Sequence, residues 1–193
     1  MTEIRRATHD DIDGAVDTLT ATFAGKSYIR HVVAEDDHER RVRDLQRLYL
    51  VEVGLALGEV WVSDDLGAVA VWTTPDTDAE AAFGPVAARA AELAGDRAVA
   101  SALAEQALDP YRPAGPLYHL GTVAVRPDRQ GRGLGTAVLR PGLAAADAAG
   151  VPAYLETSTE RNLRLYRRLG FEVTAEVESP DGGPLTWCMV RTG

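Results

Sequence analysis

Hydrophobic residues near the start of the chain recur every three or four positions, which is the spacing of one face of an α-helix. The residues on this face are Ile12, Val16, Leu19 and Phe23. His9–Asp11 supplies a polar helix start and Gly25 a stop. A second run, from about Asp36 to Leu57, has the same spacing and an acidic opening that suits the positive end of a helix dipole. We therefore predict two helices here, preceded by a short strand at Glu3–Arg6.

The middle of the chain changes from β-rich to alanine-rich sequence. Glu59–Ser63 and Ala68–Thr73 are rich in β-branched and aromatic residues and flank an Asp-Asp-Leu-Gly turn, which predicts a β-hairpin. Residues 79–107 are rich in alanine and favour helix, with a break at Gly95-Asp96. The loop that follows cannot be helical, because it contains Pro110, Pro113 and Pro116.

Strands and helices alternate through the remainder of the chain. The predicted elements are the strands Leu117–Val125 and Ala153–Thr157, the helices Leu134–Ala149 and Glu160–Leu169, and a hairpin of Phe171–Val177 with Thr186–Arg191. This alternation favours an α/β fold with at least one parallel pair of strands. No internal repeat or low-complexity linker divides the sequence, so we expect a single domain over residues 1–193.

Amino-acid composition excludes several functional classes for this protein. The 193 residues include 20 Lys and Arg against 29 Asp and Glu, a net charge of −9 that argues against a general nucleic-acid binder. Cys188 is the single cysteine, which excludes an intramolecular disulfide, and no Cys/His spacing resembles a zinc site. No apolar stretch of the sequence has the length of a signal-peptide core or of a membrane-spanning helix. We expect a cytoplasmic protein without metal, membrane or nucleic-acid partners.

The stretch VAVRPDRQGRGLGTAVL, residues 123–139, carries the most chemical information. A strand ends at Arg126-Pro127, three glycines follow at every second position, and a helix begins at once. Glycines allow a ligand to approach the backbone, and a helix start offers unpaired N–H groups and the positive end of a dipole. A pyrophosphate fits such a site. The nearby positive side chains are Arg126, Arg129 and Arg132.

The order of the glycines separates this loop from two common nucleotide sites. It lacks the Gly-Lys-Ser/Thr ending of a P-loop and the G-x-G-x-x-G order of a dinucleotide fold. The pattern is Q-x-x-G-x-G, formed by Gln130, Gly133 and Gly135, directly after a V-x-V strand. A second segment about thirty residues later, ETSTERNLRLYRRLGF, holds Asn162 and Tyr166 four residues apart on one helical face.

Together these two segments resemble the GNAT superfamily of N-acetyltransferases, in which Q-x-x-G-x-G is the acyl-CoA signature. The resemblance implies an α/β GNAT fold, in which helices flank a mixed central sheet and the parallel fourth and fifth strands splay apart. It also implies acetyl-CoA as co-substrate. The segments AVWTTP, LETS and TWCM further resemble a subfamily whose members acetylate puromycin, an aminonucleoside. Lys26 and Tyr118-His119 depart from that subfamily in regions that shape the acceptor pocket.

The resemblance also assigns roles to residues. The backbone of Val123 would face the acetyl carbonyl as an oxyanion-type donor, and Val125 would pair with the pantetheine arm. Tyr166 would protonate the departing thiolate, and Asn162 would contact the CoA. The full set that would bind the co-substrate is Val123, Ala124, Val125, Gln130, Gly131, Arg132, Gly133, Leu134, Gly135, Thr136, Asn162 and Tyr166.

Direct transfer to an amine requires a group that removes the amine's proton. His119, on the strand leading to the loop, and Glu156, at the end of the next parallel strand, are candidates for this base. His31 and Glu39 are further candidates. Cys188 lies in the apolar segment TWCMV and is expected to be a buried structural thiol rather than a nucleophile.

The sequence leaves the acceptor open. The leading hypothesis is an N-acetyltransferase for a primary amine of a small molecule, with puromycin or a related aminonucleoside as candidate. Alternatives are another amine, such as an amino-acid derivative, a polyamine or a protein N-terminus, and a non-catalytic acyl-CoA-binding regulator. The basic segments around residues 126–140 and 160–172 suggest a molecule that is positive towards the co-substrate and acidic towards the acceptor, with EDDHE at 35–39 as the densest acidic cluster. The oligomeric state is open as well.

Overall fold

A computed structural model describes residues 2–193 and contains one seven-stranded sheet. The strands are β1 Ile4–Arg6, β2 Glu59–Ser63, β3 Ala68–Thr73, β4 Tyr118–Val125, β5 Ala153–Thr157, β6 Glu172–Glu178 and β7 Leu185–Arg191. Their order in the sheet is β1-β2-β3-β4-β5-β7-β6. Only β4 and β5 pair in parallel, and every other neighbouring pair is antiparallel. The mixed α/β fold expected from the sequence is confirmed.

The helices cover both faces of this sheet. They are α1 Ile12–Phe23, α2 Ser27–Val32, α3 His38–Leu48 with a π-helical continuation Tyr49–Leu55, α4 Ala79–Ala94, α5 Ala98–Leu108, α6 Leu134–Ala149 and α7 Glu160–Arg168. One core lies between α1 and the centre of the sheet, where Val16 and Leu19 contact β2 and β3. A larger core lies on the opposite face, where α6 packs across β2, β3 and β4. No helix within residues 2–193 is long and apolar enough to cross a membrane.

Local sequence signals predict most of these boundaries. The hairpin of β2 and β3, the break at Gly95, and the helix Leu134–Ala149 lie where the sequence predicts them. The short helix α2 was not predicted. The helix predicted from about Asp36 begins at His38, after Asp37 adopts a left-handed conformation with φ of 51°.

The π-helical segment after α3 brings the helix very close to the sheet. A Cβ atom at Gly54 would lie 2.8 Å from Cγ1 of Val71 and 2.9 Å from Cγ2 of Val60. Only glycine fits at that distance, so the segment can rest directly on β2 and β3. This contact positions Tyr49 and Val53 at the edge of the cleft described below.

Strand β4 has two partners for only part of its length. It pairs with β5 at three positions, and the last of them joins Leu120 to Leu155. Beyond Leu120 the register with β3 shifts, because Val71 pairs with Thr122 and Trp72 with Leu120. Gly121 is therefore an extra residue, a β-bulge that bends β4 away from β5. From the bulge to Val125, β4 has β3 on one side and a gap on the other.

Candidate active site

The gap between β4 and β5 opens into a cleft of about 2070 Å³. One end is lined by the glycine loop and α7, and the other by residues from α2, α3, α4 and α5. The cleft therefore brings the two motif-bearing segments together with the N-terminal and middle helices. Most of the residues predicted to bind a co-substrate line it, whereas Ala124 and Arg132 do not.

The backbone of β4 presents its free edge to the cleft. Arg126 N–H donates to Gly67 O across the antiparallel pair at 2.9 Å, which sets the alternation of the strand. By that alternation Ala124 directs its N–H and C=O towards β3, and its side chain is 1% exposed beneath α1. Val123 and Val125 direct their backbone groups away from β3 and into the gap. The Val125 carbonyl already accepts hydrogen bonds from Gln130 Nε2 at 3.0 Å and from Thr22 Oγ1 at 3.3 Å.

The glycine loop forms an open cradle at the start of α6. Gly131 and Gly133 have φ of 79° and 80°, a left-handed conformation that favours glycine, and a Cβ at either would meet nothing within 4 Å. Gly133 is the N-cap of α6, and no side chain caps the helix there. The first N–H groups of α6 are therefore available to a ligand. Because they carry the positive end of the helix dipole, they suit a pyrophosphate.

The cations of the cleft differ from those that the sequence suggested. Arg126 is paired with Asp128 and Arg129 with Asp65, both at 2.7 Å, and Arg132 lies exposed outside the cleft. Within residues 2–193, other arginines line the cleft without an ion-pair partner. They are Arg140, Arg161, Arg164, Arg167 and Arg168. The four arginines of α7 are exposed, and together with Arg140 they supply the positive charge at this end.

Helix α7 places Asn162 and Tyr166 in the wall of the cleft. Asn162 Nδ2 donates to Thr157 Oγ1 at 3.4 Å, which ties the helix to the end of β5. Tyr166 is 3% exposed, and its ring packs edge-on against Phe171 with 5.9 Å between centroids. No residue within 2–193 hydrogen-bonds its hydroxyl. Burial raises the pKa of Tyr166 above the ordinary tyrosine value, so the phenol keeps its proton at neutral pH.

At the opposite end, His119 on β4 and Glu156 on β5 line the same cleft. His119 stacks at a tilt on Tyr154, with 5.3 Å between ring centroids, and Tyr154 donates to Glu156 Oε1 at 2.9 Å. Glu156 also accepts from Arg112 Nε at 2.8 Å. Burial lowers the pKa of His119, which favours the neutral imidazole. Burial raises the pKa of Glu156, but the hydrogen bond and charge of Arg112 outweigh it and leave that pKa below its usual range.

The other candidates for a base lie elsewhere. Neither His31 nor Glu39 lines the cleft. His31 packs against the turn at Gly183, and Glu39 is exposed on α3. Cys188 is fully buried on β7, and burial raises the pKa of its thiol, in agreement with the expected structural role.

Three residues of the cleft wall were missed by sequence reasoning. Arg112 follows α5 in the proline loop, Tyr154 lies among apolar residues of β5, and Thr22 is on the last turn of α1. None belongs to a recognisable motif, because each reaches the site only through the packing of distant segments. The single hint in the sequence was the positive charge of Arg112 in a short loop that contains three prolines.

Comparison with known proteins identifies the family. Residues 58–171, more than half of the chain, match the model of the Acetyltransferase (GNAT) family. The chain belongs to the GNAT acetyltransferase family.

Solved GNAT-type structures share the fold over their whole length. A Corynebacterium glutamicum protein, described as histone acetyltransferase HPA2 and related acetyltransferase, is 28% identical with a TM-score of 0.74, over 100% of this chain and 97% of its own. A mosquito arylalkylamine N-acetyltransferase like 5b is 16% identical (TM-score 0.63, 100% of each chain). A polyamine N-acetyltransferase from Drosophila melanogaster is 13% identical (TM-score 0.59, 100% of each chain). The likeness to the mosquito and Drosophila proteins shows a shared fold and carries no conclusion about the substrate.

GNAT enzymes use acetyl-CoA as co-substrate, and the residues of this chain fit that molecule. The uncapped start of α6 and the open glycines suit its pyrophosphate, and the unpaired arginines of α6 and α7 suit its phosphates. The free edge of β4 suits a chain with amide groups, because it offers backbone donors and acceptors. This GNAT chain therefore has one end of its cleft built for an anionic, amide-containing ligand.

Proposed function

We propose that this chain is a cytoplasmic, acetyl-CoA-dependent N-acetyltransferase that acylates a primary amine of a small molecule directly, without an acyl-enzyme. Puromycin or a related aminonucleoside is the acceptor we propose to test first. The observation that carries this function is the gap between β4 and β5 beyond Leu120. It joins an anion-binding loop at one end to a neutral histidine and a carboxylate at the other.

In this proposal the co-substrate supplies an acetyl thioester at the free edge of β4. The backbone of Gln130, Gly131, Arg132, Gly133, Leu134, Gly135 and Thr136 binds its pyrophosphate, and Val123, Ala124 and Val125 form the strand segment beside its arm. Asn162 adds a side-chain amide from α7. Val125 can pair with the arm once Gln130 or Thr22, which both donate to the Val125 carbonyl, gives up its hydrogen bond. The Val123 N–H, which faces the gap, stabilises the negative charge that develops on the carbonyl oxygen during attack.

His119 acts as the general base in this mechanism. An amine must lose a proton to attack, and a neutral imidazole accepts it. Because burial lowers the pKa of His119, the ring is neutral at physiological pH. Glu156, which Arg112 keeps ionised, then faces the positive charge of the ammonium before transfer and of the imidazolium afterwards. We therefore prefer His119 to Glu156 as the base.

Tyr166 acts as the general acid. When the new C–N bond forms and the C–S bond breaks, the sulfur leaves with the electron pair of that bond. The phenol of Tyr166 gives its proton to the sulfur, so the products are an N-acetylated amine and a thiol. A phenol is protonated at neutral pH, and burial raises the pKa of Tyr166 further, so the proton is present when the C–S bond breaks. The proton taken by His119 leaves to solvent, and Tyr166 regains one in the same way.

The acceptor end of the cleft supports a small amine that carries an apolar group. Tyr49 and Phe83 lie with their ring centroids 6.3 Å apart, and Phe83 is 39% exposed at the opening. Glu105 and Glu156 also line the cleft, and together they carry one more charge than Arg112, which pairs with both. An aminonucleoside has a primary amine to meet the carboxylates and flat groups to meet the rings.

The test is release of free thiol from acetyl-CoA with a panel of amines. The panel contains puromycin, an arylalkylamine, a polyamine, an amino-acid amide and a short peptide. Release with puromycin at a kcat/KM well above the other amines supports the named acceptor. Release with other amines only keeps the reaction and rejects puromycin. If no amine releases thiol while calorimetry detects acetyl-CoA binding, the chain is a binding regulator and the proposed reaction is wrong.

A further inference from the structure

Arg112 connects three parts of the acceptor wall that are distant in sequence. Its guanidinium donates from Nε to Glu156 Oε1 at 2.8 Å and from Nη2 to Glu156 Oε2 at 3.3 Å. It also donates to Glu105 at the end of α5 and to Asp109 in the following turn, each at 2.8 Å. A single planar side chain therefore bridges the end of α5 to β5.

The partners of Arg112 are unequal in burial. The side chain of Glu156 is 16% exposed, whereas those of Glu105 and Asp109 are 54% and 62% exposed. Exposed pairs contribute little, but a carboxylate removed from water needs a charged or hydrogen-bonding partner to stay ionised. Glu156 therefore depends on Arg112, while Glu105 and Asp109 mainly orient the guanidinium. Lysine could not reproduce this arrangement, because it offers one charged nitrogen instead of a planar fork.

We propose that Arg112 is a positioning residue that holds the carboxylate of Glu156 at the acceptor end of the cleft, with Glu105 and Asp109 fixing its orientation. This inference rests on the proposed function, because it treats that end as the place where the amine binds. It adds a residue outside every motif to the determinants of the reaction. The acceptor amine meets the carboxylate of Glu156, whose charge and orientation depend on Arg112 and, through it, on the end of α5. Arg112 itself touches neither reactant.

Several charged or titratable groups surround this carboxylate from different elements. They are Arg112 and Asp109 from the loop, Glu105 from α5, Tyr28 from α2, His119 from β4, Tyr154 from β5 and Cys188 from β7. Among these groups, Arg112 is the one that carries a positive charge at neutral pH. Replacing it by a neutral residue removes positive charge from both Glu156 and His119, so the pKa of each rises. The acid limb of the pH–rate profile then moves to higher pH, whichever of the two groups controls it.

The first measurement does not require activity. In protein labelled with carbon-13 at the glutamate carboxyls, the Glu156 signal is the one missing in Glu156→Gln. Its pKa in the wild type should lie below the ordinary glutamate range, and Arg112→Gln should raise it. Arg112→Lys should restore part of the lowering, and it serves as the folded reference if Arg112→Gln is unstable. Arg89→Gln, which breaks the exposed pair with Glu92 on α4, is the matched control and should change nothing.

The second measurement uses any amine that the panel finds to be a substrate. Arg112→Gln should raise KM for the amine by roughly tenfold, leave KM for acetyl-CoA unchanged and move the acid limb to higher pH. Glu156→Gln should move that limb to lower pH, because His119 loses its anionic neighbour. An unchanged Glu156 pKa in Arg112→Gln, or a changed pKa with unchanged KM and pH profile, overturns the inference. If no amine reacts but the Glu156 pKa rises, the proposed function fails and the hold of Arg112 on Glu156 stands.

Discussion

Tyr166 is the general acid in this mechanism, and a variant that lacks only its hydroxyl group tests this role. Tyr166→Phe keeps the ring that packs against Phe171 and removes the hydroxyl. We expect kcat to fall by roughly 10²-fold, because the thiolate then leaves without a proton donor, while acetyl-CoA binding changes little. Steady-state kinetics and calorimetry measure the two effects separately. Tyr111→Phe, at a residue that is 48% exposed, is the control, and an unchanged kcat in Tyr166→Phe removes it from the mechanism.

A pair of glycines at the two ends of α6 tests the binding loop. Gly133 and Gly150 have φ of 80° and 66°, and a Cβ at either meets nothing within 4 Å. Glutamate at each position costs a similar strain of about 1–2 kcal/mol. Only Gly133→Glu also places a bulky negative group in the cradle. We expect Gly133→Glu to abolish acetyl-CoA binding in calorimetry and Gly150→Glu to retain it, and tight binding by both variants would contradict the placement.

The sequence could predict these residues because their signals are local. The glycine loop, Asn162 and Tyr166 lie in segments whose spacing alone places them at a helix start and on one helical face. Arg112 and Thr22 could not be found in this way. They reach the cleft from a proline loop and from α1, and their partners, Glu156 and Val125, are far away in sequence.

At the scale of secondary-structure elements, α6 lies in very close contact with the sheet. A Cβ at Gly142 would lie 2.4 Å from Cε2 of the fully buried Trp72. Gly142→Ala must therefore push α6 away from β3, and we expect it to destabilise the protein by about 1–3 kcal/mol in urea unfolding. Gly135→Ala in the same helix is the control, because its Cβ would lie at an ordinary 3.6 Å from Val125. Equal stability of the two variants would contradict the packing described.

Elements with strong local signals were predicted, and those shaped by tertiary contacts were not. The hairpin of β2 and β3 is bounded as predicted, because its turn and its β-branched residues act locally. Helix α2 has only six residues, too few for a repeated apolar spacing to show. The bulge at Gly121 was not predicted; it turns Leu120 and Ala124 to opposite faces of the sheet and decides where the strands separate.

Across the whole molecule, the unpaired arginines of the cleft gather at the end formed by α6 and α7, but the carboxylates at the acceptor end are not those that the sequence suggested. The EDDHE cluster does not line the cleft, since Glu35, Asp36 and Asp37 are each paired with an arginine of their own region. The carboxylates that reach the acceptor end are Glu80, Glu105 and Glu156. Within residues 2–193, the unpaired arginines of the cleft lie at the other end, on α6 and α7, whereas Lys26 at the start of α2 lines the acceptor end. Charge counts along the sequence could not show which carboxylates are already neutralised.

This polarity predicts a salt-dependent binding of the co-substrate. Replacing Arg140 and Arg164 together by glutamine should weaken acetyl-CoA binding by about threefold for each arginine and flatten its dependence on ionic strength. Arg40→Gln with Arg89→Gln removes the same charge from exposed ion pairs outside the cleft and should leave binding unchanged. Calorimetric titrations at low and high salt give the comparison. Identical salt dependence in all variants would show that these arginines do not bind the phosphates.

The separation of β4 from β5 has a consequence for the solubility of the protein. An open strand edge is a template on which other chains can add strands and aggregate. Here the open edge lies in the middle of the sheet, inside a cleft, and Gln130 and Thr22 already occupy the carbonyl of Val125. A strand from another protein's sheet would have to bring its neighbours into the cleft, whereas a single flexible chain can enter alone. This edge of β4 thus offers backbone hydrogen bonds to a slender ligand but is shielded from pairing with a strand of another protein chain.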